Sequence, residues 1–279
     1  MKKEISPLLK WAGGKRQLLS KLKEVVPKNF NTYFEPFLGG GALLFDLQPE
    51  KAVIADINPQ LINLYIQVKN HPQELIEEVG ELNFRLCDAE RYYLLREKYN
   101  AKIQMNVFNV ESAALFLWLN KYCFNGLYRV NNEGKFNVPW NKECSKKVLD
   151  EYNLIKMSDY LNHADVEVLC EDFSSSCIKA KAGDFIYFDP PYAPLPKNRN
   201  ETFTKYSSDG FSVENQEKLA KLASDFAEKG VFVVLSNHDS SFVRDLYATF
   251  TIREVEARRA INRDGKGRKE EELIISSGK

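Results

Sequence analysis

The sequence predicts an α/β fold in which a parallel sheet is interrupted by a mostly helical insert that ends in a β-hairpin. Three observations point there. Short apolar runs bounded by turn residues recur at both ends of the chain, the span from about Asn58 to Tyr122 has helical spacing with no convincing strand, and a run of turn formers follows it.

Taken in order, 31–37 reads as a short strand running into the glycines at 39 to 41, and 42–47 begins a helix. Residues 51–56 form a second short strand that ends on an acid, and Pro59 suits the first turn of the following helix. This is a β-loop-α-β unit. In the helical span Leu61, Leu64, Tyr65 and Val68 line one face, and 113–118 is strongly apolar. Residues 127–130 and 135–138 flank Asn131-Asn132-Glu133-Gly134, which predicts a hairpin. Residues 166–169, 185–188 and 231–235 are near-continuous apolar runs, as in strands covered on both faces. Between the last two, Leu219, Leu222, Ala223 and Phe226 mark a crossover helix over 215–229 that Gly230 stops. The polar stretch 193–210, with Pro194 and Pro196, is expected to be a lid carrying Phe203, Thr204 and Tyr206. The domain organisation is then a core in two parts, 1–57 and 146–279, around an inserted domain, 58–145.

Composition narrows the function. With 44% apolar and 28% charged residues in 279, the chain can bury a sizeable core. Its strongest apolar run, Val231 to Leu235, is far short of the roughly 20 residues that span a bilayer, so no membrane partner is expected. The first residues lack the apolar region of a secretory signal, which points to the cytoplasm. Five cysteines without a C-x-x-C pair and three scattered histidines suggest reduced thiols and no metal. Thirty-nine basic and 39 acidic residues cancel, so nucleic-acid binding would need clustered charge. Two clusters exist: Lys10, Lys15, Arg16, Lys21 and Lys23, and then Arg258, Arg259, Arg263, Lys266, Arg268 and Lys269. They are expected to meet phosphates.

Two segments carry chemistry. In Glu35-Pro36-Phe37-Leu38-Gly39-Gly40-Gly41 the glycines let a ligand approach the backbone where a strand turns into a helix, and Asp56 at the end of the next strand suits a ribose diol. A carboxylate before the glycines favours a cationic cofactor over a pyrophosphate. The sharper signal is Asp189-Pro190-Pro191-Tyr192, directly after the strand 185–188. Two prolines end the strand at the sheet edge where α/β folds bind ligands, and they leave backbone carbonyls free to accept. Asp189 and one such carbonyl can accept both protons of an exocyclic amino group while Tyr192 stacks on its base. That would favour a pyramidal nitrogen with a usable lone pair, and Asp189 would balance the positive charge that develops there.

Lys10-Trp11-Ala12-Gly13-Gly14-Lys15, the 35–41 segment, Asp56, Phe124-Asn125-Gly126-Leu127-Tyr128-Arg129, Phe136-Asn137-Val138-Pro139, Glu171-Asp172-Phe173 and the 189–192 motif occur in that order. Together they resemble the Dam-type, alpha-group (D12-class) adenine-N6 DNA methyltransferases almost end to end. The resemblance implies a Rossmann-like, S-adenosylmethionine-dependent core with an inserted DNA-recognition domain. It implies a cofactor site of Trp11, Lys15, Glu35, Phe37, Gly39, Gly41, Asp56, Asp172 and Phe173, and a target-adenine site of Asp189, Pro190, Pro191 and Tyr192. Lys10, Asn125, Leu127, Arg129 and Pro139 fall where the family contacts double-stranded DNA, commonly at GATC, with the target base flipped out of the helix. A monomer is implied, with a cognate restriction endonuclease as a companion in restriction-modification systems. The chain departs from its GATC relatives at Trp140-Asn141-Lys142-Glu143, where they carry an aromatic residue, glycine, arginine and tyrosine. An RNA adenine-N6 methyltransferase and a noncatalytic DNA-binding regulator are the alternative readings.

Overall fold

The computed structural model describes residues 4–192, 211–258 and 269–278. It contains seven strands and ten α-helices among the described residues. The chain divides into two compact units, one of Met1–Gly14, Gly39–Glu50 and Asp56–Cys170, the other of Lys15–Leu38, Lys51–Ala55 and Glu171–Lys279. The fold is a mixed α/β architecture.

The second unit holds a short helix α1 (Leu19–Lys23), the strands β1 (Tyr33–Glu35) and β2 (Lys51–Ala55), and, in the first unit, α2 (Ala42–Leu47) lies between them in sequence. The first unit continues with α3 (Pro59–Asn70), α4 (Pro72–Asn83), α5 (Ala89–Gln104), α6 (Val110–Tyr122), α7 (Glu151–His163) and β3 (Asp165–Leu169). The rest of the second unit is α8 (Phe173–Ser176), β4 (Phe185–Phe188), α9 (Val213–Glu228), β5 (Phe232–His238), α10 (Ser241–Leu246), β6 (Thr251–Arg258) and β7 (Lys269–Ser276).

Six strands of the second unit run in the order β2-β1-β4-β5-β7-β6. The first four are parallel, with Phe34 opposite both Val53 and Ile186, and Tyr187 opposite Val234. β7 returns antiparallel to β5 and β6, pairing Ser236 with Ile274 and His238 with Glu272. All residues of β1 and β4 are buried, in β4 as its unbroken apolar character predicts. The apolar reading stops β5 at Leu235, but the strand continues through Ser236, Asn237 and His238, all buried. These polar residues stay in the ladder because β7 supplies an antiparallel partner to each of them. α9 follows its expectation: Ser212 caps its start and Gly230, at φ 81°, lies beyond its end.

In the first unit the helical span is four helices. Asn58, Asp88 and Asn109 cap α3, α5 and α6 with their side chains, Asn109 in a full capping box with Ser112, while Pro72 opens α4. α6 is apolar on every side because α3, α4 and α5 all pack against it, and its Ala113 to Leu119 are buried. The hairpin is short. Asn131 N–H donates to Lys135 C=O and Asn137 N–H to Arg129 C=O, with a single bridge between Val130 and Phe136. No described helix is long and apolar enough to cross a membrane.

Candidate active site

The Asp189–Tyr192 turn leaves β4 at its C-terminal end and is held by β5, α9, β7 and the 3-10 turn Lys15–Gln17 of the second unit. Asp189 Oδ1 accepts from Ser236 Oγ of β5 at 2.8 Å and lies 2.7 Å from Lys15 Nζ. Lys15 is only 6% exposed, and its ammonium also sits 4.6 Å from the centre of the Tyr192 ring. The Pro191 carbonyl accepts from Gln216 Nε2 of α9 at 2.9 Å, so the proline carbonyl left for a substrate is that of the buried Pro190. Tyr192 donates from its hydroxyl to Glu272 Oε2 of β7 at 2.7 Å. Burial, reinforced by the charges of Asp189 and Glu272, drives the Tyr192 phenol far above its ordinary range, so it stays a neutral donor.

Sequence reasoning identified Asp189, Pro190, Pro191 and Tyr192 but missed Ser236, Gln216 and Glu272, the residues that hold them. The one sequence signal was the polar Ser236-Asn237-His238 directly after an apolar strand.

Of the residues expected at the cofactor, Glu35 is buried at the end of β1, where it accepts from the Tyr33 hydroxyl at 2.9 Å. Phe37 stacks on Phe173 with centroids 5.3 Å apart, and Phe188 and Phe211 meet its edge. Asp172 caps α8, accepting from Ser174 N–H at 2.9 Å. Burial pushes its carboxyl up, but the Ser174 hydroxyl and N–H together with Lys218 hold it below the usual range. Lys15 meets Asp189 and Tyr192.

In the first unit, Asp56 ties the glycine turn to its strand: Oδ2 accepts from Gly39 N–H at 3.0 Å and Oδ1 from Asn58 N–H at 2.9 Å. Burial pushes the Asp56 carboxyl up, against the lowering effect of these donors. With backbone donors from Gly39, Asn58 and Ile57, the carboxylate keeps acceptor capacity for a ribose hydroxyl. Gly39 is at φ 48°, and a Cβ there would stand 2.8 Å from Trp11 Cδ1, so no side chain is accommodated between the turn and the indole. Tyr65 donates to the Gly39 carbonyl at 2.9 Å, and Gly41, at φ 65°, precedes α2. Trp11 stacks on Tyr128 with centroids 5.7 Å apart. A strand-end carboxylate, a glycine turn without room for Cβ and an indole wall fit a nucleoside-bearing cofactor.

The expected DNA-contacting residues share the same unit. Buried Asn120 accepts from Lys10 N–H at 3.0 Å and donates to the carbonyls of Lys10 and Gly126 at 3.0 and 2.9 Å. Lys10 is thereby fixed beside the turn that carries Asn125, whose φ is 56°, and Leu127. Arg129 is exposed and donates from Nε to Asn137 Oδ1 at 2.7 Å; Pro139 is exposed and Leu127 half-buried. The departing segment closes on itself, Trp140 Nε1 donating to the Glu143 carbonyl at 3.0 Å. The lid residues Phe203, Thr204 and Tyr206 lie outside the described residues, as do Arg259, Arg263, Lys266 and Arg268; Arg258 ends β6 and Lys269 begins β7.

The match that decides the family is the model of the D12 class N6 adenine-specific DNA methyltransferases, which fits residues 11–261. The chain belongs to this family. The D12-class chain is 40% identical to the type II methyltransferase M1.LlaDCHI of Lactococcus lactis subsp. cremoris, over 98% of this chain and 95% of the relative. It is 41% identical to the type II methyltransferase M.MjaIII of Methanocaldococcus jannaschii, over 98% and 99% of the two chains. It is 36% identical to the DNA adenine methylase of Escherichia coli K12, over 96% and 93%. This D12-class protein is an adenine-specific DNA methyltransferase, and among its described residues no cluster of His, Cys, Asp and Glu could hold a metal ion.

Proposed function

We propose that this chain transfers a methyl group from S-adenosylmethionine to N6 of an adenine flipped out of duplex DNA, at GATC. The observation that carries the chemistry is the anchored Asp189 turn, with the Pro190 carbonyl free of hydrogen bonds among the described residues. When bound, the cofactor supplies an electrophilic methyl on a sulfonium. By the family resemblance, Asp56 would take the ribose hydroxyls, Phe37 and Phe173 would give apolar faces for its purine, and Trp11, Gly39 and Gly41 would shape the turn it lies on. Glu35, Asp172 and Lys15 complete the polar lining.

Asp189 and the Pro190 carbonyl accept the two N6 protons, and Tyr192 stacks on the extruded base. The amino nitrogen is then pyramidal, with its lone pair turned towards the methyl. The new N–C bond would form as the sulfonium S–C bond breaks, leaving S-adenosylhomocysteine; Asp189 would balance the positive charge on nitrogen, and one N6 proton would pass to solvent to give neutral N6-methyladenine. No covalent enzyme intermediate is needed. Burial pushes the thiols of Cys87 and Cys123 up to about 11 and that of Cys177 up to about 12, which leaves them poor nucleophiles.

GATC rests on the reading surface, with 58–145 as the recognition domain. The Asn120 bonds that seat Lys10 beside the Asn125–Leu127 turn support one continuous surface, on which a lysine and Arg129 can read guanine and Leu127 and Pro139 a thymine methyl. Phosphate contacts by the two basic clusters make binding steeply salt-dependent. The test is transfer of labelled methyl to unmethylated duplex DNA, with nucleoside mass analysis and mapping of the modified positions. N6-methyladenine at GATC is expected, abolished by Asp189→Ala with cofactor affinity kept within several-fold. The same product at another site would overturn GATC and point to 140–143; product on RNA alone would overturn the substrate.

A further inference from the structure

We propose that Ser236 is a positioning residue that fixes the orientation of the Asp189 carboxylate, so that its second oxygen faces the target amino group. The inference rests on the methyl-transfer reading above and adds a residue to it. Ser236 is fully buried in the polar extension of β5, and its hydroxyl proton goes to Asp189 Oδ1 at 2.8 Å. A hydroxyl has one proton to give, so its contact with the Tyr187 hydroxyl at 3.0 Å runs the other way, with Tyr187 donating. Burial, then the charge of Asp189, holds the Tyr187 phenol well above its ordinary range, so it keeps a proton to donate. The relay Tyr187 to Ser236 to Asp189 therefore has one direction, ending on the carboxylate.

Lys15 Nζ reaches the same oxygen at 2.7 Å. Both donors load Oδ1, and among the described residues Oδ2 has no partner. Turning the carboxylate out of this orientation would break two charge-assisted bonds at once. The two donors differ in their footing. Lys15 is on a long, rotamer-rich stem in a short 3-10 turn, whereas Ser236 and Tyr187 sit on β5 and β4, adjacent strands in the middle of the sheet. The serine thus acts as the rigid stop that presents Oδ2 to N6. In line with that role, it touches neither substrate nor cofactor and acts only through Asp189.

The test compares wild type with Ser236→Ala, Ser236→Thr and Tyr187→Phe in single-turnover transfer to duplex DNA, with cofactor and DNA affinities measured on the same preparations. Ser236→Ala is expected to lower the transfer rate about ten- to hundred-fold, the usual effect of losing a hydrogen bond to a charged group, with both affinities within about two-fold. Ser236→Thr, which restores the hydroxyl, is expected to recover most of the rate. Tyr187→Phe leaves the serine donor in place and is expected to cost only a few-fold, and it gives a second reading if the threonine methyl is not tolerated. An alanine variant as fast as wild type would overturn the proposal. So would a loss of rate that follows an equal loss of cofactor binding and of thermal stability. A wild-type protein that transfers no methyl to DNA would overturn the proposed function and this role with it, whereas an active wild type beside an active alanine variant removes this role alone.

Discussion

The Tyr192 hydroxyl donates to Glu272 Oε2 over 2.7 Å, joining the last residue of the Asp189–Tyr192 turn to a strand 80 positions further along the chain. Glu272 is 9% exposed, so its carboxylate depends on this donor. Tyr192→Phe keeps the ring but strands the acid, and is expected to cost about 1–3 kcal/mol in denaturant unfolding. Replacing both partners, in Tyr192→Phe with Glu272→Met, is expected to recover part of that loss. Additive losses would show that the two groups do not depend on each other.

Lys15 is a further contact of the same turn, through Asp189 and the face of Tyr192. Lys15→Met keeps the length of the stem and removes the charge. We expect a fall in transfer rate of ten-fold or more, since a partly buried carboxylate loses its counter-charge. Lys15→Arg, which brings a planar fork to a site shaped for a point charge, is expected to restore only part of the rate. An unchanged rate in Lys15→Met, measured with saturating DNA and cofactor, would contradict this.

Gly126, at φ 65°, stands where a Cβ would come within 2.7 Å of Lys10 Cβ. Gly126→Ala therefore carries a backbone penalty of about 1–2 kcal/mol as well as a clash that displaces Lys10. The displacement predicts a loss of discrimination between cognate and altered sites larger than any change in cofactor affinity. Competition binding with single-base variants of the site measures it, and intact discrimination would separate Lys10 from sequence reading.

Asp56 gives a pH signature. Burial raises its folded carboxyl pKa above the ordinary aspartate range, so on acidification it takes its proton earlier than an exposed aspartate does. Because the folded state holds that proton more tightly than the unfolded chain, this group favours folding more as pH falls through its folded pKa. Cofactor binding moves the opposite way, since the protonated acid loses acceptor strength towards a ribose. Calorimetric titrations of S-adenosylmethionine are expected to weaken on acidification from a pH above the usual carboxylate range, and Asp56→Asn to bind weakly with little pH dependence. Parallel pH profiles for the two proteins would refute this assignment.

The sequence by itself determined the strand–turn chemistry. The unbroken apolar run Phe185 to Phe188 demands a strand buried on both faces, and two prolines after it forbid its continuation, so Asp189 must stand at a strand end. The same local logic made Asp56, the glycine turn, α9 and the turn at 131–134 legible, because each depends on neighbours in the chain. The helical span was legible in type but not in its division into four helices, since α6 is apolar all round and its periodicity carries no face. Only the tertiary structure decided what holds the Asp189–Tyr192 turn. Ser236, Gln216 and Glu272 lie 47, 25 and 80 positions from their partners, and as polar residues they read as surface until β7 and α9 bury them. Local spacing cannot reveal them, because a hydrogen bond across the sheet is set by strand order and register, which depend on packing over the whole unit.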